Sequence, residues 1–172
     1  SNSSTAPATD IVGARIRPVM TVTSLSLNTD NNGDAVLYLS GLTYTASDNC
    51  NYTLSFSSSG VDTVLNYTSA DLGVNQETLY ATDSSGNVGS APFTVTIGDT
   101  IDPIVLTKDT TIYLDANGNA SITPSDVDGG TTDNGSFTLS LDITSFSCDD
   151  VGANTVILTA TDNANNSAQD SA

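Results

Sequence analysis

The stretch Asp30-Asn31-Asn32-Gly33-Asp34-Ala35 returns 85 positions later as Asp115-Ala116-Asn117-Gly118-Asn119-Ala120. Asn-Gly supplies the positive φ that a tight hairpin turn needs, so both copies read as a turn between two strands. The register holds on either side. Pro18 falls on Pro103, Ser40 on Ser125, Asp48-Asn49 on Asp133-Asn134, and Thr53-Leu54-Ser55 on Thr138-Leu139-Ser140. Over residues 18–56 this gives 11 identities in 39 positions, too regular a match for unrelated segments. Six residues then drop out of the second copy. At an offset of 79, Asp71, Gly73, Asn75 and Ala81-Thr82-Asp83 fall on Asp150, Gly152, Asn154 and Ala160-Thr161-Asp162.

The same register reaches the start of the chain, where Ala6-Pro7, Thr9, Gly13 and Ile16 align on Ala91-Pro92, Thr94, Gly98 and Ile101. Three segments follow. Residues 1–17 read as the last strand and linker of a preceding repeat, residues 18–102 as a whole module, and residues 103–172 as a module lacking its last strand. Period-two runs such as Tyr52, Leu54, Phe56 and Val156, Leu158, Ala160 put one set of side chains on one face of a strand. Strands are expected near 19–27, 35–39, 52–57, 61–67, 76–82 and 91–97. Short strands at this spacing in a unit of about 85 residues predict an all-β fold of tandem immunoglobulin-like β-sandwiches.

Composition narrows the function. The 172 residues hold 3 basic and 20 acidic side chains, a net charge of −17, with no His and no Trp. That surface repels phosphate backbones and anionic lipids, so neither nucleic acid nor a membrane surface is an expected partner. Without His, and with only two distant Cys, most zinc sites and His-based catalytic dyads and triads are excluded. No apolar stretch approaches the roughly 18–20 residues that span a bilayer. Asp149-Asp150 is an adjacent acidic pair, but neighbours on a strand point to opposite faces, so no enzyme is expected.

Two acidic regions invite a cation. The turns at 30–34 and 115–119 superficially suggest a calcium loop, but such a loop ends in a bidentate Glu, and the residues at that position are Gly41 and Asp126. A plain hairpin turn is the better reading. The linker Asp99-Thr100-Ile101-Asp102-Pro103 is the stronger candidate. Together with Asp83 and Asp162 at the ends of the Ala-Thr-Asp motifs, Asp99 and Asp102 could give Ca²⁺ its oxygen ligands at the inter-module junction. The arrangement resembles cadherin-like junctions stiffened by metal; a solvated acidic linker is the competing reading. The first linker has Ala14 and Arg17 where the second has Asp99 and Asp102, so such a site is not repeated along the chain. Arg15 and Arg17 fit weak exposed pairs with acids of a neighbouring module.

Ser47-Asp48-Asn49-Cys50, the run Cys148 to Val156 and Thr159-Ala160-Thr161-Asp162 together resemble hyalin-type repeats. More closely, they resemble the tandem modules of giant cell-surface adhesins of gliding Bacteroidota, exported by type 9 secretion. The resemblance implies a disulfide within each module between the Cys50 and Cys148 positions. Here Ser69 and Gly135 stand at the partner positions, so no bridge within a module is expected. Cys50 and Cys148 are then unpaired or intermolecular thiols, or bridged across modules if their Cα atoms come within about 4.4–6.8 Å. The resemblance also implies an O-glycosylation signal, Asp followed by Ser or Thr and a small or aliphatic residue, met at Thr63, Thr100, Thr110 and Ser171.

The expected role is a stalk segment of a long secreted adhesin at the cell surface. Its partners would be adjacent copies along a filament and outer-membrane secretion or motility machinery. Gliding follows from the resemblance alone. The alternative is a pilin-like subunit whose residues 1–13 complete the second module of a neighbour by donor-strand addition. A carbohydrate-binding module would need aromatic platforms, and the six Tyr are scattered over expected strands.

Overall fold

The computed structural model describes residues 16–172. Its strands are β1 (Val19–Val22), β2 (Leu25–Asn28), β3 (Asp34–Tyr38), β4 (Tyr44–Ser47), β5 (Tyr52–Ser55), β6 (Val64–Thr68), β7 (Gly73–Asp83), β8 (Val88–Gly98), β9 (Ala120–Ser121), β10 (Phe137–Leu141), β11 (Ser145–Phe146), β12 (Ile157–Asp162) and β13 (Ser167–Ser171). One four-residue helical turn, Pro124–Val127, is the longest helix among the described residues. The fold of the described residues is all-β. No helix of the described residues is long and apolar enough to cross a membrane.

The chain forms two compact units. The first comprises the described residues up to Leu25 with Leu37–Leu65 and Gln76–Val95; the second comprises Ser26–Val36, Asn66–Asn75 and Thr96–Ala172. In the first, β1 pairs antiparallel with β4, and β5 pairs with β7 from Tyr52 opposite Asp83 to Ser55 opposite Tyr80. Its buried apolar side chains include Leu37, Leu42, Leu79, Ala81, Phe93 and Val95, and the Phe56 and Phe93 rings lie 6.3 Å apart. Alternation decides the faces. In β8, Gly89, Ala91, Phe93, Val95 and Ile97 are buried while the residues between them are more open. The four-stranded order is β2-β8-β7-β5, and β3 pairs with β6.

Local chemistry breaks one expected strand in two. The run 19–27 divides into β1 and β2 at Thr23 and Ser24, and the Ser24 hydroxyl accepts from the Thr94 amide at 3.0 Å. A side-chain oxygen here satisfies an amide that a continuous ladder would have bonded to a carbonyl.

In the second unit β12 is central, with β10 on one side and β13 on the other, while β9 pairs with β11. Ile122, Val127, Val156 and Leu158 make its core, and Val105, Leu139, Leu141, Phe146 and Ala172 pack against it. Residues 88–92, the opening of the eleven-residue β8, correspond at the 79-residue offset to β13. Thr107 secures this strand, its hydroxyl lying 2.8 Å from Asp170 Oδ2 and 2.9 Å from the Ser171 carbonyl.

Candidate functional site

One turn is used four times. Asp30 Oδ1 accepts from the amides of Asn32 and Asp34 at 2.8 and 3.1 Å, and Asp115 Oδ1 accepts from Asn117 and Asn119 at 2.8 and 2.9 Å. These backbone bonds hold both carboxyls below the usual value of 3.8. Gly33 and Gly118 take φ of 81° and 80°. Asp83 and Asp162 repeat the device, accepting from the Asn87 and Asn166 amides at 2.8 Å, with Gly86 and Asn165 at positive φ. The turn reading of 30–34 and 115–119 therefore stands, but neither turn closes a hairpin: β2 pairs with β8 and β3 with β6, while 110–114 form no strand and β9 pairs with β11. Asp126 is occupied elsewhere, as its Oδ2 accepts from the Thr123 amide and hydroxyl at 2.7 and 2.8 Å and so caps the turn that follows.

The linker carboxylate joins one of the turn carboxylates in a cluster. Asp99, Asp133 and Asp162 each bring a carboxylate oxygen within 4.8 Å of the others, and Asp99 and Asp162 are only 9% and 7% exposed. Asp99 Oδ1 accepts from the Ile101 amide at 3.0 Å and from Asn134 Nδ2 at 3.2 Å. Asn166 Nδ2 donates to Asp162 Oδ2 at 2.8 Å and to the Asp99 carbonyl at 3.2 Å. Asp133 spends one oxygen on the Gly135 amide at 3.0 Å. Its other oxygen, Oδ1, is buried and accepts nothing, and so is Asn134 Oδ1.

The four residues expected at a metal junction are thus divided. Asp99 and Asp162 come together, with Asp133 as the third member. Asp83 belongs to a different cluster, with Asp48 and Cys50. There Asp83 is 5% exposed, and its carboxyl is held low first by the Asn87 side-chain amide; Asp48 Oδ1 is a buried oxygen without a partner. Asp102 is exposed and joins neither cluster. The missed residue was marked by the repeat itself, since Asp48-Asn49 and Asp133-Asn134 are identical.

The remaining expected positions are at the surface or outside the described residues. Thr63, Thr100, Thr110 and Ser171 are exposed. Cys50 and Cys148 are free thiols, and Cys148 Sγ lies 3.8 Å from the Gly118 carbonyl. Cys148, Asp149 and Asp150 form a 3₁₀ turn instead of a strand, because Asp150 Oδ2 accepts from the Ser147 amide and hydroxyl at 2.7 and 2.9 Å. That capping removes Asp150 from any carboxylate pair. Residues 1–13, the expected donor strand, lie outside the described residues, as do Ala14 and Arg15.

No protein-family model matches this sequence, and no curated protein matches it. Among solved structures, the chain is similar to protocadherin gamma B7 extracellular cadherin domains 1–4 at 13% identity and a TM-score of 0.42, over 91% of this chain and 48% of that one. It is similar to titin domains I67–I69 at 12% identity and a TM-score of 0.40, covering 90% and 63% of the two chains. The fibronectin(III)-like modules of Clostridium thermocellum CbhA align at 12% identity and a TM-score of 0.32, covering 89% and 91%. The chain spans about half the length of the protocadherin gamma B7 structure it matches. Likenesses this distant carry no residue's role across.

Proposed function

We propose that this chain is a passive, extracellular spacer: a stalk segment of a long secreted surface adhesin, with a divalent cation setting the stiffness of its linker. One observation supports the reading most directly. The linker residue Asp99 is held at its side chain by Asn134 and at its carbonyl by Asn166, so the segment at 98–103 is fastened instead of swinging freely. A spacer has to resist bending at its connections, and in a repeat array each unit meets mainly its neighbours, so length can grow without redesign of a core.

The donor set at Asp99, Asp133 and Asp162 fits a hard cation. Three carboxylates this close repel one another unless a positive charge lies among them. Asp133 Oδ1 and Asn134 Oδ1 are buried oxygens without donors. Oxygen ligands without sulfur or nitrogen suit Ca²⁺. When bound, the ion would supply charge neutralisation and cross-linking of the linker; the chain's own part is to hold the carboxylates in place through Ile101, Asn134, Gly135 and Asn166.

The hyalin-type resemblance supports placement in a surface adhesin with adjacent copies of the module as partners. Gliding, contact with outer-membrane secretion or motility machinery, and O-glycosylation at the four exposed hydroxyls belong to this same proposal. Intact mass tests it. Antibodies against this chain should detect a surface protein of hundreds of kDa; a cell-surface species of 17.6 kDa alone would overturn the stalk reading.

A further inference from the structure

The two acidic clusters occupy the same place in the repeat. At the 85-residue offset Asp48 corresponds to Asp133 and Cys50 to Gly135, and at the 79-residue offset Asp83 corresponds to Asp162. The shared pair is built the same way twice. Asp48 Oδ2 accepts from the Cys50 amide at 3.0 Å, as Asp133 Oδ2 accepts from the Gly135 amide at 3.0 Å. Asp83 Oδ2 accepts from Asn87 Nδ2 at 2.8 Å, as Asp162 Oδ2 accepts from Asn166 Nδ2 at 2.8 Å. The third member differs. In the second copy it is Asp99 from the linker, whose counterpart in the first linker is Ala14. In the first copy it is Cys50, where the second has Gly135.

Turn geometry explains part of the cluster of Asp48, Cys50 and Asp83. It accounts for Asp48 Oδ2, which receives the Cys50 amide, and for Asp83 Oδ1, which receives the Ser85 and Asn87 amides at 2.8 Å. It does not account for Asp48 Oδ1, a buried oxygen with no donor among the described residues. Leaving a buried polar atom unpaired costs about 1–3 kcal/mol, and more for a charged group. The same atom of Asp133 lacks a donor in the second copy, so the deficit belongs to the place in the repeat and not to one loop. A cation among these groups supplies what Asp48 Oδ1 lacks. Asp48, Cys50 and Asp83 each bring one ligand atom within 4.8 Å of the others. Around one tetrahedral ion, with bonds of about 2.0 Å to oxygen and about 2.3 Å to sulfur, such atoms stand about 3.3–3.5 Å apart. Small side-chain rotations close that difference. An open hollow of about 180 Å³, lined by 51–53 and 82–84, leads from solvent to Asp83.

Sulfur decides which cation fits. Ca²⁺ takes about six to eight hard oxygen ligands, whereas a thiolate beside two carboxylates suits a smaller and softer ion. We propose that Asp48, Cys50 and Asp83 form a zinc-binding site, with one thiolate and two carboxylates as ligands and water in the fourth position. On binding, a bond forms between Zn²⁺ and the Cys50 sulfur, and the thiol proton leaves to solvent. The ion ties the loop ahead of β5 to the turn that follows β7. Asn87 and the amides of Cys50 and Ser85 hold the carboxylates in place for it. The proposal rests neither on the spacer reading nor on a cation at Asp99, because the two clusters share no residue.

The test titrates the whole 172-residue chain with Co²⁺, a coloured stand-in for Zn²⁺, because a thiolate ligand gives a sulfur-to-cobalt charge-transfer band. The band should saturate at one equivalent, disappear when Zn²⁺ is added and survive excess Ca²⁺. Cys148→Ser and Asp133→Ala should keep it, and Cys50→Ser should abolish it. Asp48→Ala should weaken Co²⁺ binding by at least about tenfold, the lower end of what even an outer-shell partner contributes. No band in the whole chain overturns the proposal, as does a band lost in Cys148→Ser, which would assign it to the other thiol. Undiminished binding by Asp48→Ala, or displacement of the band by Ca²⁺, overturns it as well. Should Cys50→Ser fail to fold, Cys148→Ser still decides the matter, since Cys50 is then the one thiol left. Retention of the band in Asp133→Ala separates this result from the fate of the calcium reading.

Discussion

Gly33 lies so close under the Asn134 carbonyl oxygen that a Cβ built on it would collide with that oxygen. The contact joins the first Asp-Asn-Gly turn to the loop that carries Asp133, and Asn134 returns it by donating through Nδ2 to the Asp30 carbonyl at 3.0 Å. Gly33 therefore answers two demands at once, a φ of 81° and a close approach of backbone. Gly86 has a φ of 84° with nothing near its missing Cβ, so it answers only the first. Gly86→Ala should cost about 1 kcal/mol, the usual penalty of a left-handed backbone. Gly33→Ala should cost about 2–4 kcal/mol, because the neighbour that must yield is backbone. Urea denaturation of both variants checks this, and equal losses would remove the packing half of the explanation.

Asn165 occupies the position of Gly86 and is the non-glycine residue at positive φ among the described residues, at 71°. Asn tolerates that backbone because its short amide can bond locally. Asn165→Gly should thus change stability by no more than about 0.5 kcal/mol, while the β-branched Asn165→Val should cost about 1–2 kcal/mol. A thermal melt of the pair is enough; a harmless Val at this position would mean the turn relaxes to another type.

Much of this was written in the sequence, and the misses have physical causes. The echo of 30–35 at 115–120 yields the turns, and period two at Leu158 and Ala160 yields the buried face of β12. Strand ends were harder, because Ser24 intercepts the Thr94 amide and Asp150 caps its own turn. Pattern alone cannot tell when a short polar side chain takes over a backbone bond. The acidic cluster was half visible. Asp99 and Asp162 carry linker and strand-end signals, whereas Asp133 comes from a loop with no motif beyond its identity with Asp48. Asp102 looked like a ligand by spacing, but its side chain is at the surface.

Acid should unfold the protein at the turns. Asp30, Asp83, Asp115, Asp126, Asp128, Asp150 and Asp170 all have carboxyls held below 3.8 by hydrogen bonds from amides and hydroxyls. A carboxyl depressed in the folded state stabilises it above the unfolded value, and that contribution is lost as pH falls through the folded value. Melting temperature should be flat above about pH 5 and fall steeply below about pH 4. The net charge of −17 works the other way, because protonation relieves self-repulsion. Running the series in high salt screens that opposing effect and leaves the local one. Asp115→Asn keeps an acceptor oxygen but cannot titrate, so its acid loss should be shallower than that of the parent chain; identical slopes would assign the acid effect elsewhere.

Cation binding at Asp99, Asp133 and Asp162 predicts a stability that depends on Ca²⁺ and on one carboxylate in particular. A ligand bound only by the folded state adds RT ln(1 + [L]/Kd), about 2.7 kcal/mol at a hundredfold excess over Kd, which moves the melting temperature by several degrees. Adding Ca²⁺ after EDTA treatment should produce that rise, and Mg²⁺ should produce less, because it demands tighter octahedral geometry. Asp133→Ala should abolish the rise, since Asp133 Oδ1 is the buried oxygen that lacks a donor. In EDTA it should melt higher than Asp99→Ala or Asp162→Ala, because it removes one of the three mutually repelling carboxylates with the loss of fewer hydrogen bonds. Asp48→Ala, at the same place in the repeat but in the cluster with Cys50, should leave the Ca²⁺ response intact. A full response in Asp133→Ala would show that the ion, if it binds, binds to something else, and the linker would then be stiffened by Asn134 and Asn166 alone.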